Sequence, residues 1–198
     1  FRQPENMNST PKRNPKHNNQ VRIIGGELRG RKITFADADG LRPTPDSVRE
    51  RLFNWLGQDL TGQRVLDAFA GSGALGFEAV SRHAAEAWLC ETNWETARRI
   101  VTHAQQLGVA ERVQAVQQNA LIFLRQQQMQ FDTVFLDPPF AWQNWTDLFA
   151  ALRTRLHENA NVYAEAGQLP ELPDWLQVQR QGRAGKSQFL LLDIKSNQ

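Results

Sequence analysis

From residue 63 onward, short apolar runs alternate with amphipathic stretches, and few folds accommodate that pattern. Strand-like segments at 64–69, 87–90, 113–116 and 131–136 are separated by helix-like ones at 74–82, 93–107 and 120–129. A helix follows around 145–157, then strands near 161–165, 175–179 and 188–194. Strands that alternate with helices pair in parallel, because each helix carries the chain back across the sheet. The expected fold is therefore α/β, a mostly parallel seven-stranded sheet flanked by helices. The last strands lie close enough in sequence to close it with an antiparallel hairpin.

The region before residue 61 has a different character. Residues 1–20 are rich in Asn, Pro, Lys and Gln and nearly free of large apolar side chains, which predicts a disordered basic tail. Val21-Arg-Ile-Ile-Gly-Gly and Arg31-Lys-Ile-Thr-Phe read as two short strands around a glycine-rich turn. Thr44, Pro45 and Asp46 open a helix as N-cap, first helical residue and first-turn acid. Val48, Leu52, Trp55 and Leu56 share one face of it, and Gly57 ends it. The division expected is a tail at 1–20, an N-terminal hairpin and helix at 21–60, and the α/β domain at 61–198.

Charge separates along the same line. Residues 1–32 hold eight Lys/Arg against Glu5 and Glu27, a charge of +6, so the overall +2 leaves −4 for the remainder. A basic arm on a mildly acidic body suits a polyanionic partner as well as it suits a solubilising tail. The chain opens on Phe1, and Met7 is the expected native start. No apolar run approaches the ~20 residues of a membrane-spanning helix, and no signal-peptide pattern opens the chain. Cys90 is the only cysteine, so an intrachain disulfide is excluded and a cytoplasmic location is expected. Four scattered histidines and one cysteine make no metal set. Nothing in the sequence points beyond a monomer.

Two motifs carry chemistry. In the first, Val65-Leu66-Asp67-Ala68-Phe69-Ala70-Gly71-Ser72-Gly73-Ala74-Leu75-Gly76 runs strand, glycine turn, helix. Its glycines satisfy G-x-G-x-x-G, and Glu91 ends the next strand where an acid binds ribose hydroxyls, so a dinucleotide is a fair first reading. Asp67 weighs against a pyrophosphate and suits a cation or an amino group. In the second, Asp137-Pro138-Pro139-Phe140 follows the apolar run at 131–136. A carboxylate, two prolines and a ring at the end of a buried strand make a rigid platform with acceptor oxygens and a flat apolar lid. That platform suits a planar exocyclic amine, although Pro-Pro also punctuates ordinary turns. Trp142 and Trp145 follow it, more in keeping with helix packing than with covering a target.

Together, the glycine loop, Glu91 and Asp137-Pro138-Pro139-Phe140 resemble the S-adenosylmethionine-dependent methyltransferases of the Rossmann-like class. The resemblance implies that the loop Asp67, Phe69, Ala70, Gly71, Ser72 and Gly73 packs against the methionine part of the cofactor. It implies that Glu91 binds the ribose hydroxyls and that Asn119-Ala120 meets the adenine ring, Asn119 being equally readable as a helix cap. Asp137, Pro138, Pro139 and Phe140 then form the catalytic platform, with Phe140 stacking on a base swung out of its helix.

Arg22-Ile-Ile-Gly-Gly-Glu-Leu-Arg-Gly-Arg-Lys-Ile and Leu41-Arg-Pro-Thr-Pro-Asp-Ser-Val-Arg-Glu-Arg-Leu-Phe-Asn-Trp-Leu resemble the RsmD family more specifically. These are bacterial enzymes that methylate the N2 amine of a guanine in 16S ribosomal RNA of the small subunit. The resemblance covers nearly the whole chain from residue 21. It implies an RNA contact surface, for which Arg22, Arg29, Arg31, Lys32, Arg42 and Arg49 are the candidates. A small +6 arm on a compact domain has limited affinity for bare RNA, which favours an assembled or partly assembled particle as substrate. Asn93 stands where the family often has a second acid, and Gly185-Lys-Ser-Gln-Phe189 departs from its usual last strand. The rival readings are a DNA amino-methyltransferase, a protein-glutamine methyltransferase, a non-catalytic RNA-binding assembly factor and an NAD oxidoreductase. The first lacks room for a target-recognition domain, and the second would more typically carry Asn at 137.

Overall fold

The computed structural model describes residues 19–36 and 43–196. Residues 1–18 of the expected tail and Arg42 lie outside them, whereas Gln20, expected at the end of the tail, already belongs to the first strand. β1 (Gln20–Arg22) and β2 (Lys32–Thr34) pair antiparallel as the expected hairpin, and α1 (Asp46–Leu56) follows. The alternating part runs β3 (Arg64–Asp67), α2 (Ala74–Ser81), β4 (Glu86–Cys90), α3 (Trp94–Gln106), β5 (Val113–Val116), α4 (Ala120–Gln126) and β6 (Phe131–Leu136). It closes with α5 (Trp145–Leu152), β7 (Leu156–Ala166), β8 (Leu176–Ala184) and β9 (Ser187–Ile194).

Seven strands form one sheet in the order β5-β4-β3-β6-β7-β9-β8. The first five are mutually parallel, and β9 enters antiparallel between β7 and β8. Chain direction across the sheet reverses between β3 and β6, so a crevice opens beyond their C-terminal ends. Alternate residues feed opposite faces. Val65 and Phe135 join a core built with the hairpin, α1, α2 and α3, while Leu66, Val134 and Leu136 join one built with α4 and α5.

Several bounds differ from expectation: α4 ends at Gln126 and β8 runs on to Ala184, past the expected 179. α5 ends at Leu152, not near 157, because residues from Leu156 are captured by the sheet: Leu156 pairs with Phe131 ahead of a bulge. Helical propensity yields there to tertiary pairing. In α1, Thr44 is not the cap. Pro45 holds that position without a side-chain hydrogen bond, and its carbonyl accepts the Val48 and Arg49 N–H groups.

The largest departure is Arg49. It was expected on an RNA-facing surface, yet it is fully buried. It sits on the core face of α1 with Val48, Leu52 and Phe53, whereas Trp55 and Leu56 are only half-buried. Its guanidinium pairs with buried Glu78 at 3.2 Å and with Asp46, and donates to the carbonyls of Arg22 (2.9 Å) and Thr44 (3.1 Å). Glu78 also pairs with Arg82 and accepts the N–H groups of Ile24 and Gly25. Buried charge is tolerated because every partner is satisfied. The network stitches hairpin and α1 to α2. Gly26, at φ 77°, lies so close to α2 that a Cβ would stand 1.8 Å from the Ser81 carbonyl oxygen.

Candidate active site

A cleft of about 620 Å³ opens at the C-terminal ends of β3, β4, β6 and β7. Its first wall is the turn after β3. Gly71 (φ 53°) and Gly73 (φ 85°) adopt left-handed backbone, and a Cβ on Gly73 would meet the Phe77 ring at 2.9 Å. The third glycine, Gly76, lets α2 settle on Leu89 of β4, where a Cβ would be 2.7 Å away. Asp67 is buried and its Oδ2 accepts the Gly76 N–H at 3.2 Å. Burial pushes its carboxyl up to about 7, with that N–H opposing and Glu91 reinforcing. Glu91 is fixed by two backbone donors, Gly71 N–H to Oε2 and Asn93 N–H to Oε1, both 3.0 Å. Asn119 caps α4 by accepting the Leu121 N–H at 2.8 Å and still lines the cleft beside Ala120. Asn93, in the position of the missing acid, caps α3. Burial pushes the Cys90 thiol up to about 12, which leaves it inert.

The opposite wall is the platform after β6. The Trp142 N–H closes its turn onto the Pro139 carbonyl at 2.9 Å. Phe140 is 72% exposed, and its ring lies over Gly167, where a Cβ would stand only 2.2 Å from it. Trp142 meets Phe69 edge to face at 5.0 Å and Trp145 at 5.2 Å, so aromatic rings join the platform to the glycine loop. Trp145, the first residue of α5, is buried and stacks on Phe149, the packing role expected of it, and both it and Trp142 line the cleft.

Asp137 is held by a residue that sequence reading assigned elsewhere: the Thr44 hydroxyl donates to its Oδ2 at 3.1 Å. The carboxyl is pushed up to about 8, chiefly by burial and then by neighbouring Glu165, with Thr44 opposing. Glu165 at the end of β7, Ser187, Phe35 and Gln118 also line the cleft and were not anticipated. Glu165 had a signal, a lone carboxylate ending an apolar strand, the same signal that singled out Asp137. Thr44 had none, because threonine before a helix reads as a cap.

The cationic candidates divide. Arg29, Arg31 and Lys32 are exposed on the hairpin, and Arg31 reaches the Gln106 carbonyl at 3.3 Å. Arg22 is exposed and lies 3.7 Å from Asp46. Arg49 is withdrawn into the core. Among the described residues, no group of three or more His, Cys, Asp or Glu is placed to hold a metal ion, and no helix is long and apolar enough to cross a membrane.

The family described as Conserved hypothetical protein 95 matches residues 21–193. Ribosomal RNA small subunit methyltransferase D of Escherichia coli strain K12 is 40% identical over 177 residues, 87% of this chain and 89% of that protein. The solved structure of yhhF from Escherichia coli superposes with a TM-score of 0.81 at 38% identity, over 90% of this chain and 99% of that one. A Thermus thermophilus 16S rRNA N2 methyltransferase, solved with AdoMet and guanosine, shares the fold at 19% identity and a TM-score of 0.66, over 89% of this chain and 50% of that one.

Proposed function

The chain belongs to the family described as Conserved hypothetical protein 95, the RsmD family of the sequence resemblance, and from that premise we propose that it methylates the exocyclic N2 amine of a guanine in 16S ribosomal RNA. The methyl donor is S-adenosylmethionine. The observation that carries the reading is the pairing of two walls across one cleft: a bare glycine backbone with Glu91 on one side, and Asp137 with its prolines on the other.

The residues present fit the cofactor. Gly71 and Gly73 leave backbone uncovered, and Glu91, oriented by two N–H groups, would hold ribose hydroxyls. Asp67 would face the methionine amino group, and Asn119 and Ala120 the adenine ring. When bound, S-adenosylmethionine supplies a methyl on a sulfonium, and the amine nitrogen takes that methyl while the sulfur keeps the bonding pair.

The chain's own residues position the amine. A guanine amine is a poor nucleophile because its lone pair is delocalised into the ring. Thr44 engages Oδ2 of Asp137, which leaves Oδ1 to accept one amine hydrogen while the Pro138 carbonyl accepts the other. Those acceptors favour a pyramidal nitrogen and stabilise the positive charge that grows on it, and Asp137 holds the proton that departs. Phe140, exposed at the mouth, stacks on the extruded base. Residues 21–60 act as the RNA-binding module of the methyltransferase domain at 61–198, with Arg22, Arg29, Arg31 and Lys32 on phosphates. The substrate is an assembled or partly assembled small subunit, and the enzyme acts as a monomer.

The test is transfer of labelled methyl to unmethylated small subunits, naked small-subunit RNA and unmethylated DNA in parallel, with the modified nucleoside identified by mass. N2-methylguanosine in subunits or RNA is the expected product. Label confined to DNA would move the assignment to DNA amino-methylation, and cofactor binding without any transfer would leave an RNA-binding assembly factor.

A further inference from the structure

Glu165 is a second carboxylate in the target wall, and the chemistry above does not use it. Parallel pairing sets Phe135 of β6 opposite Tyr163 of β7 and Leu136 opposite Ala164. One step further along both strands brings Asp137 and Glu165 to the same end of the sheet. They lie on the face of Phe135 and Tyr163, whose rings meet edge to face at 6.4 Å. Both carboxylates line the cleft, with Thr44 above Asp137 and Ser187 beside Glu165.

Glu165 is rigidly mounted. The hydroxyl of fully buried Tyr163 donates to its Oε2 at 2.8 Å, and Ser187 lines the cleft with it. Burial raises its carboxyl, and the hydroxyls of Tyr163 and Ser187 oppose that by favouring the ionised form. Crowding a second carboxylate beside Asp137 is electrostatically unfavourable, and a neutral glutamine would line the wall without that repulsion. The pair makes sense for a ligand that presents two adjacent donors.

Guanine does so. With its N2 amine on Asp137, the neighbouring ring position, N1, also carries a hydrogen. Adenine and 2-aminopurine carry a lone pair at N1. We propose that Glu165 determines base specificity: its carboxylate accepts the guanine N1–H while Asp137 holds the N2 amine, and it repels any purine with a lone pair at N1. The inference rests on the guanine-N2 reading. Tyr163 is then a positioning residue that keeps Glu165 ionised and aimed.

The test uses the full-length enzyme and small-subunit RNA whose methylated nucleotide, first located by mass, is rebuilt by splinted ligation as guanine or 2-aminopurine. 2-Aminopurine keeps the N2 amine and lacks the N1 hydrogen. Wild type should prefer guanine by at least about a thousandfold in kcat/KM, as sites built to hydrogen-bond a donor do. Glu165→Gln, whose amide turns either oxygen or N–H to N1, should cut that preference at least about tenfold. Tyr163→Phe, which keeps the ring packing, should narrow it about threefold and serves if Glu165→Gln does not fold. N2-methylguanosine formed with the same base preference in both variants overturns this inference alone. Absence of N2-methylguanosine from the wild-type reaction overturns the guanine reading and this inference with it.

Discussion

On the β3–β4–β5 side of the cleft, each side chain comes from a strand end or the turn that follows it. Asp67, the glycines, Glu91 and Asn119 each bond to backbone within about twenty residues. On the β6–β7 side, Asp137 is completed by Thr44 from 93 residues upstream and flanked by Glu165 from the next strand. The N-terminal segment is thus part of the wall that carries Asp137, the proposed target wall, not an appendage to it. Arg49 makes this physical: it holds the Thr44 carbonyl with one nitrogen and Glu78 of α2 with another. A cofactor wall written in contiguous motifs can serve many methyltransferases. A target wall assembled from distant segments can be changed without disturbing it.

The comparison breaks first at Arg49. Arg49→Ala leaves Glu78 with one ion-pair partner fewer and frees two carbonyls, and should lower stability by about 3–5 kcal/mol in denaturant unfolding. A loss under about 1 kcal/mol would show that the module is anchored by apolar packing alone. In the cofactor wall, Gly73→Ala forces a side chain into left-handed backbone and against Phe77. It should lower stability by about 1–3 kcal/mol and weaken S-adenosylmethionine binding at least about fivefold by calorimetry. Unchanged affinity would remove the loop from the cofactor site.

The two walls were legible to different degrees for the same reason that they differ in construction. Gly71, Gly73, Gly76 and Glu91 answer local demands, a positive φ, close helix–strand packing and a strand-end acid, so their spacing suffices. The sheet was legible because buried parallel strands show as apolar runs. Thr44 and Ser187 act only through tertiary neighbours, and no spacing encodes that. Arg49 was misread because a cation early in a helix ordinarily faces water, and its buried acidic partner, Glu78, lies in a different helix. The start of β7 was read as helix because its pairing with Phe131 is likewise non-local.

Smaller effects sharpen the contrast. Asp137, raised to about 8, can take up the departing proton and counter the growing positive charge only when ionised, and that form is populated above its pKa. kcat/KM should therefore fall about tenfold per pH unit below about 8, and Asp137→Asn, which keeps one acceptor oxygen, should flatten that limb. A profile that is flat from pH 6 to 8 in wild type would remove Asp137 ionisation from the chemistry. Thr44→Val removes one hydrogen bond and should lower kcat about three- to tenfold with cofactor affinity unchanged. A fall in cofactor affinity instead would mean that the walls are not independent.

The most direct measurement is Asp137→Ala, assayed in one preparation for S-adenosylmethionine binding and for methyl transfer to small-subunit RNA. If the carboxylate belongs to the target wall alone, the cofactor Kd should stay within about threefold of wild type while transfer falls about a hundred- to a thousandfold. Transfer at the normal rate, or a parallel loss of cofactor binding, would contradict the account.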